Sequence, residues 1–251
     1  MKRLFVLACG LLLTGPLLLI PAQAVADEWR APSLWPQRIG MRGINRVMSD
    51  AMLPDAIVNS VIVGCGAAAM ALFIGWPAAR VLAAQARPSR AALVVFSPLL
   101  VPPLVVGEGL QVWFLRIGLA DTLFGVMVAH LVYVIPYVVL VLMPAFTGSL
   151  REREEAAAGL GAHRRHIWRL VTLPATASSV ALAAALGFTV SWSQYGTSLG
   201  VGGGIPLLPL VLVPFVRSDV QIAAVLDLVF LVPPLLALLV AWRMTTRPVL
   251  V

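Results

Sequence analysis

Six apolar stretches, each close to the length of a membrane-crossing helix, restrict what this chain can fold into. A helix needs about 20 apolar residues to cross the hydrocarbon core of a bilayer. The stretches cover residues 4–20, 56–79, 91–115, 122–146, 175–192 and 222–242. Only 12% of the residues are charged, against about 25% in an average soluble domain. The sequence therefore predicts an all-α, polytopic membrane protein with about six transmembrane helices.

A seventh apolar run, residues 205–216, is too short to cross the hydrocarbon core and contains Pro206, Pro209 and Pro214. Irregular backbone at membrane depth is tolerated only where protein or a water-filled cavity covers it. We therefore expect a re-entrant or interfacial segment here, after a flexible turn at residues 200–204.

The basic residues predict the orientation, because cytoplasmic connections are enriched in lysine and arginine. With the N-terminus inside, the cytoplasmic segments hold Lys2, Arg3, Arg80, Arg87, Arg90, Arg151, Arg153, Arg164, Arg165, Arg169, Arg243 and Arg247. The outer segments hold Arg30, Arg38, Arg42, Arg46, Arg116 and Arg217. The net charge of +7 is spread between apolar runs, so it indicates topology and not nucleic-acid binding.

Three regions follow from this topology. Residues 1–24 form a first transmembrane helix or a cleavable signal-like segment, since Lys2-Arg3 and Ala22-Gln23-Ala24 suit both; we favour the helix. Residues 25–55 form an extracytoplasmic segment, whose tryptophans suit an interfacial belt better than a docking surface for an outer partner. Residues 56–251 form the transmembrane core, with its largest cytoplasmic connection at 147–174.

The cysteines and the single lysine exclude several kinds of site. Cys9 and Cys65 lie inside apolar runs, where we expect buried small side chains and no disulfide or metal pair. A phosphate-binding Walker A loop needs a lysine after its glycines, and Lys2 is the only lysine. The chain has no catalytic or metal-binding motif in its sequence, and we predict neither an enzyme nor a metal site.

The polar block inside residues 147–174 carries the most specific pattern. Glu155-Ala156-Ala157 is followed by Gly161 after three residues, and then by Val171, Leu173 and Pro174. This pattern resembles the EAA signature of ABC-importer permeases, the inner-membrane components of type I, binding-protein-dependent transport systems. The one departure is Val171, where isoleucine is usual, and both are β-branched aliphatic residues.

The same block has a physical interpretation of its own. Three alanines, the best helix formers, predict a short helix beginning near Glu152 with a smooth face for another protein. The glutamates near its start would complement the helix dipole. Gly159 and Gly161 would end or bend it, and a second helix would resume from Ala162 and lead into the fifth span.

The resemblance, which extends more weakly over residues 55–242, implies how the protein works. Its coupling helix would seat on a separate ABC ATPase dimer, which binds the ATP, so that this chain needs no cofactor. A second permease subunit, identical or homologous, and an extracytoplasmic solute-binding protein would complete an inner-membrane importer with cytoplasmic termini. The subgroup it is most similar to transports polyamines, ferric iron, thiamine or inorganic anions.

Polar side chains inside spans are costly and mark candidates for the translocation path. These are Glu108, Gln111, His130, Gln194 and Asp227. A satisfied interhelical hydrogen bond is the alternative for each of them. The alternative function is a proton-coupled secondary transporter that uses Asp227, Glu108 and His130.

Overall fold

The computed structural model describes residues 2–85, 90–146 and 148–245. Arg87 and Arg247, used above for orientation, lie outside these ranges, as do Thr147 and the side chain of Cys9. The helices are α1 (Lys2–Ala24), α2 (Arg42–Met48), α3 (Leu53–Ala83), α4 (Arg90–Phe96), α5 (Pro103–Arg116), α6 (Leu123–Leu142), α7 (Gly148–Gly159), α8 (Arg164–Ile167), α9 (Leu173–Trp192), α10 (Tyr195–Val201), α11 (Leu208–Leu212), α12 (Phe215–Ser218) and α13 (Val220–Thr245). The strands are β1 (Ala26–Glu28) and β2 (Arg38–Ile39).

The predicted all-α membrane fold is confirmed, while the count of six spans stays a prediction. Within the described residues, four helical segments are long and apolar enough to cross a membrane: Leu53–Ala83, Leu123–Ala145, Arg164–Trp192 and Val220–Met244. A bent pair, Arg90–Leu100 with Pro103–Arg116, would be a fifth crossing if it is one span. The first predicted stretch, residues 4–20, lies within α1. The short proline-rich run becomes α11 and α12, which are too short to cross.

The third predicted span, residues 91–115, is not a continuous helix, and the prediction is wrong there. After α4 the chain makes a 3₁₀ turn over Ser97–Leu100, and α5 then begins at an angle of 100°. Pro102 and Pro103 supply no backbone N–H for a continuing helix. Val101, which precedes them, is extended at φ −103° and ψ 132°, as steric contact with a following proline requires.

The chain divides into two compact units, Met1–Val58 with Pro206–Pro233 and Asn59–Ile205 with Pro234–Val251. In the first unit, β1 and β2 form a small antiparallel hairpin that the sequence did not predict. Its loop closes on itself, because Arg30 N donates to Gln37 Oε1 and Gln37 Nε2 donates to Arg30 O, both at 3.0 Å. Trp35 at the tip is 81% exposed.

Gln221 ties the hairpin to the rest of the first unit. Its Nε2 donates to Asp27 Oδ1 at 2.8 Å, and the side chain is buried. Gly40 lies beside this contact, where an added Cβ would come within 2.0 Å of Asp27 Oδ2. A residue other than glycine would therefore push Asp27 away from Gln221.

The second unit has its core between α3, α6 and α9. The buried residues of this core are Ala71, Ala79, Leu82, Val134, Val138, Val139, Leu142 and Ala183. The alanines of α3 and α9 let these helices approach the valines of α6 closely. Small residues at contacts are how helices associate where lipid offers no hydrophobic advantage.

Helices α5 and α10 touch through glycine backbone. A Cβ on Gly200 would lie 2.4 Å from the carbonyl carbon of Gly107, and a Cβ on Gly196 would lie 2.6 Å from Leu104 N. Any side chain at these positions would separate the two helices, so small residues are required here as in other close membrane helix pairs.

Cys65 corrects a second prediction, because its side chain is exposed and not buried. An apolar run in a soluble protein points to burial, but lipid covers an exposed apolar face in a membrane equally well. Membership of an apolar run therefore did not decide whether Cys65 lies in the protein interior.

Asp219 allows a test of the first unit. Arg42 Nη1 donates to Asp219 Oδ2 at 2.6 Å, and Ile222 N donates to Asp219 Oδ1 at 3.2 Å. The carboxylate therefore pairs with Arg42 and also caps the N-terminus of α13. The hydrogen bond from Arg42 holds the pKa of Asp219 below its ordinary value. We expect Asp219→Ala to lower the free energy of unfolding by about 1–2 kcal/mol, and Asp219→Asn, which keeps a capping oxygen, by about 0.2–1 kcal/mol.

The stabilisation by Asp219 depends on pH in a direction that follows from its pKa. Because the folded-state pKa of Asp219 is lowered, its charge stabilises the fold above the unfolded pKa of about 4, and this stabilisation is lost as the pH falls through the folded-state pKa. Thermal unfolding in detergent between about pH 3 and 7 should show the native protein and Asp219→Asn converging at low pH. A difference that does not change with pH, or additive effects of Asp219→Asn and Arg42→Gln, would contradict this role.

Candidate functional site

The polar block folds as a helix, a turn and a second helix, as the sequence predicted. Helix α7 ends in a Schellman motif, in which Ala162 N donates to Ala157 O at 3.1 Å and Gly161 N donates to Ala158 O at 3.0 Å. Gly161 has φ +83°, a left-handed conformation that glycine adopts without steric cost. The glycine of the signature is thus required by the turn itself.

The proline at the end of the signature is also explained by the local backbone. Helix α8 continues through a π-helical segment, Trp168–Thr172, into α9. Pro174 lies in the first turn of α9 and has no N–H to offer the carbonyl of Leu170. A wider turn accommodates this lost bond, and π turns of this kind are often found at functional sites.

Most side chains of the signature are exposed and would be available to a partner. Ala156, Leu173 and Pro174 are exposed, whereas Ala157 and Val171 are half-buried. Glu155 is also exposed, and its carboxylate accepts a hydrogen bond from Arg151 Nε at 2.9 Å, one helical turn away. Leu160, in the turn, is 90% exposed. An apolar side chain this exposed, next to a small-residue helix face, suits contact with another protein.

Helix α7 begins at Gly148, four residues before Glu152, so the predicted dipole role of the glutamates is wrong. The first turn of α7 contains no acidic residue. Glu154 instead points inward: its Oε2 accepts a hydrogen bond from Arg80 Nη2 at 2.6 Å, and its Oε1 accepts one from the Thr172 hydroxyl. The sequence indicated Arg80 only as a cytoplasmic charge and Glu154 only as a glutamate near a helix start. It did not predict their contact or the contact with Thr172, because these residues are distant in the chain.

Two open grooves flank α7, with volumes of about 540 and 510 Å³. Both are lined by Arg80, Glu154 and Ala158. The first also borders Phe146 and Leu150, and the second borders the start of α9. The contact between Arg80 and Glu154 therefore lies where both grooves meet the helix.

His130 and Gln194, two candidates for the translocation path, lie in one buried cluster. His130 Nε2 lies 3.0 Å from Ser198 Oγ and Nδ1 lies 2.8 Å from Ser191 Oγ. The Ser198 hydroxyl donates to Gln194 O, so it accepts from Nε2–H, and the neutral ring accepts from Ser191 through Nδ1. His130 is 2% exposed and joins α6, α9 and α10 without contacting open space.

Glu108 and Gln111 are placed differently from His130. Both are exposed and lie three residues apart on one face of α5, whereas Gly107 and Phe114 of the same helix are buried. Asp227 belongs to the other unit, where it is half-buried in α13. Within the second unit, Glu108 and Gln111 are thus the exposed candidates, whereas His130 and Gln194 are buried.

Known proteins support the resemblance given by the polar block. The chain is 26% identical over 207 residues to the spermidine/putrescine transport system permease protein PotC of Haemophilus influenzae. The aligned region covers 80% of each chain. It is 30% identical over 166 residues to the molybdenum transport system permease protein ModB of Mycobacterium tuberculosis, covering 59% of this chain and 61% of ModB. No family model matches the chain.

The fold has a solved counterpart. The crystal structure of a bacterial ABC transporter involved in the import of the acidic polysaccharide alginate contains a chain that matches with a TM-score of 0.70 and 15% identity, covering 96% of this chain and 94% of that one. The resemblance to ABC-importer permeases is thereby confirmed. The chain is a multi-pass membrane protein similar to transport permeases and not to enzymes.

His130 provides a test of the buried cluster. We expect His130→Leu to lower the free energy of unfolding by about 1–3 kcal/mol, because two buried hydroxyls lose a partner. Thermal unfolding in detergent measures the change, and Gln111→Leu, an exposed position, serves as the control. If uptake per folded molecule falls while stability is unchanged, His130 contacts solute and the packing interpretation is wrong.

Proposed function

We propose that this chain is the permease subunit of an ATP-driven solute importer, coupled through residues 147–174 to a separate ATPase. The observation that carries the proposal is the geometry of α7, the Schellman turn at Gly161 and α8. Together they present an exposed alanine face and an exposed Leu160 at the end of two long apolar helices. A short helix of this kind can seat in a groove of another protein.

The sequence explains why ATP binding and solute passage would belong to different subunits. ATP would bind to the partner, since this chain carries no Walker A lysine. Closure of the ATPase dimer would displace α7, and the spans connected to α7 would swing between inward and outward openings. A second permease subunit and an extracytoplasmic solute-binding protein complete such an importer.

Charge distribution supports an inner-membrane location with the coupling segment in the cytoplasm. Twelve of the eighteen basic residues lie on the side of residues 147–174 in the predicted topology, and six lie on the other side. This asymmetry is the one that orients membrane proteins. It places both termini in the cytoplasm if α1 is retained.

The transported solute is a small polar molecule or ion, of the polyamine, ferric iron, thiamine or inorganic anion class. The relatives described above carry the names of a polyamine system and of a molybdenum system. Because these solutes have opposite charges, the side chains on the path matter for the choice. Glu108 and Gln111 are the proposed path residues, since a carboxylate facing lipid would be costly.

Co-purification tests the coupling. The tagged native chain, extracted from its own membranes in mild detergent, should bring ATPase activity with it. With the double variant Glu155→Lys, Gly161→Asp, the co-purified ATPase activity should be at least tenfold lower. The lysine reverses a charge on the docking face. Aspartate at φ +83° costs about 1–2 kcal/mol in the turn and adds a negative charge at the C-terminal end of α7, where the helix dipole disfavours it.

Two matched variants separate docking from general damage. Glu152→Lys makes the same charge change on the same helix, and Gly161→Asn keeps a residue that tolerates the left-handed conformation; both should retain the ATPase. The proposal fails if Glu155→Lys, Gly161→Asp still transports solute normally. Solute uptake that survives ATP depletion and stops with a protonophore would favour the proton-coupled carrier.

Glu108 gives a separate prediction for the path. A carboxylate about 4 Å from a cationic solute in a water-filled path contributes about 1 kcal/mol. We therefore expect Glu108→Gln to reduce spermidine uptake about fivefold and to leave molybdate uptake equal or higher. Radiolabelled uptake in cells measures both, with Ser193→Ala as the control. Equal effects on the two solutes would show that Glu108 is not on the path.

A further inference from the structure

Helix α7 is attached to its own unit by very few side chains. It is a polar helix, and Leu150 is its buried residue. Glu154 lies four residues later, on the same face of the helix, and its side chain is only 14% exposed. Glu155, in contrast, is 65% exposed. The inward face of α7 therefore consists of Leu150, Glu154 and the half-buried Ala157, and Glu154 is its one carboxylate.

The carboxylate of Glu154 reaches two different helices. Oε2 accepts from Arg80 Nη2 at 2.6 Å, in the last turn of α3. Oε1 accepts from the hydroxyl of Thr172 at the end of the π-helical segment. Hydrogen bonds to an ionised group are stronger than neutral ones, so one side chain joins α7 to both neighbouring spans.

Each partner of Glu154 is itself held in place. The guanidinium of Arg80 lies 6.0 Å from the ring centre of Trp76, and Trp76 meets Phe146 edge-on with 5.2 Å between ring centres. Thr172 is 1% exposed, and its carbonyl accepts from Thr176 Oγ1 at 2.9 Å. Because both partners have further contacts of their own, a displacement of Glu154 must move them or break these bonds.

We infer that Glu154 is a positioning residue that fastens the coupling helix to α3 and α9, so that a displacement of α7 passes to both spans together. It acts through Arg80 and Thr172 and does not itself contact the ATPase. This inference rests on the proposed coupling function for its role in transport. The fastening itself is a property of this chain alone and can be measured without any partner.

The test measures the distance between a spin label directly after the last residue of α3 and one on α7. The native cysteines are removed by Cys9→Ser and Cys65→Ser, and spin labels are attached at Ala84→Cys and Arg153→Cys. Pulsed electron paramagnetic resonance in lipid nanodiscs then measures the distance between the labels. The native pair should give one narrow distance distribution, and Glu154→Gln should broaden it at least twofold. Glu152→Gln, the same change on the outer face, should leave it narrow. The exchanged pair Arg80→Glu with Glu154→Arg should restore a narrow distribution.

Transport gives the second readout, with spermidine and molybdate as probes in the complex purified from its own membranes. Glu154→Gln should retain the bound ATPase and its hydrolysis, while solute moved per ATP falls about tenfold. A distribution as narrow in Glu154→Gln as in Glu152→Gln overturns the inference, as does loss of the ATPase with Glu154→Gln. If Glu154→Gln does not insert, Thr172→Val, which removes one of the two bonds, must broaden the distribution.

The two proposals fail in different ways. If no ATPase accompanies the native chain, the proposed function is wrong, while the spin-label result still decides whether Glu154 fastens α7. If an ATPase is present and the labels show no change, coupling stands and the assignment of Glu154 is wrong.

Discussion

The requirement that every backbone polar group in hydrocarbon finds a partner within the protein governs this structure. Where the chain leaves α-helical geometry at membrane depth, a partner is supplied. The break between α4 and α5 frees the carbonyl of Val101, which accepts a hydrogen bond from Tyr133 Oη at 2.6 Å. At Trp168–Thr172 the backbone itself adapts, through a π-helical segment ahead of Pro174. Both irregularities thus lie next to prolines, and they are accommodated differently.

The sequence predicted the parts of the fold that depend on local chemistry. Long apolar runs correspond to α3, α6, α9 and α13, and Gly161 ends a helix because of its own backbone freedom. It did not predict the 100° bend before α5, although the prolines that cause it were visible, because length and apolar content alone defined that span. Cys65 was expected to be buried because the sequence does not distinguish a lipid-facing surface from a protein-facing one.

The proposed coupling site shows the same division between local and distant information. The signature residues Glu155 and Gly161 could be found from spacing, and their surroundings agree with an exposed helix and a tight turn. The inward carboxylate, Glu154, pairs with a residue 74 positions away, and no spacing rule connects the two. The contacts of His130 were equally hidden, since a polar side chain in a span gives no sign of the two serines that surround it.

The glycine contact between α5 and α10 has a mechanical consequence. Side chains usually form a soft layer between helices, and their rotamers absorb small movements. Gly107 and Gly200 leave no such layer, since even a methyl group would overlap backbone. We therefore expect the two helices to move together, and α10 is bonded through Ser198 to His130. A shift of α10 would carry Glu108 and Gln111 on α5 with it.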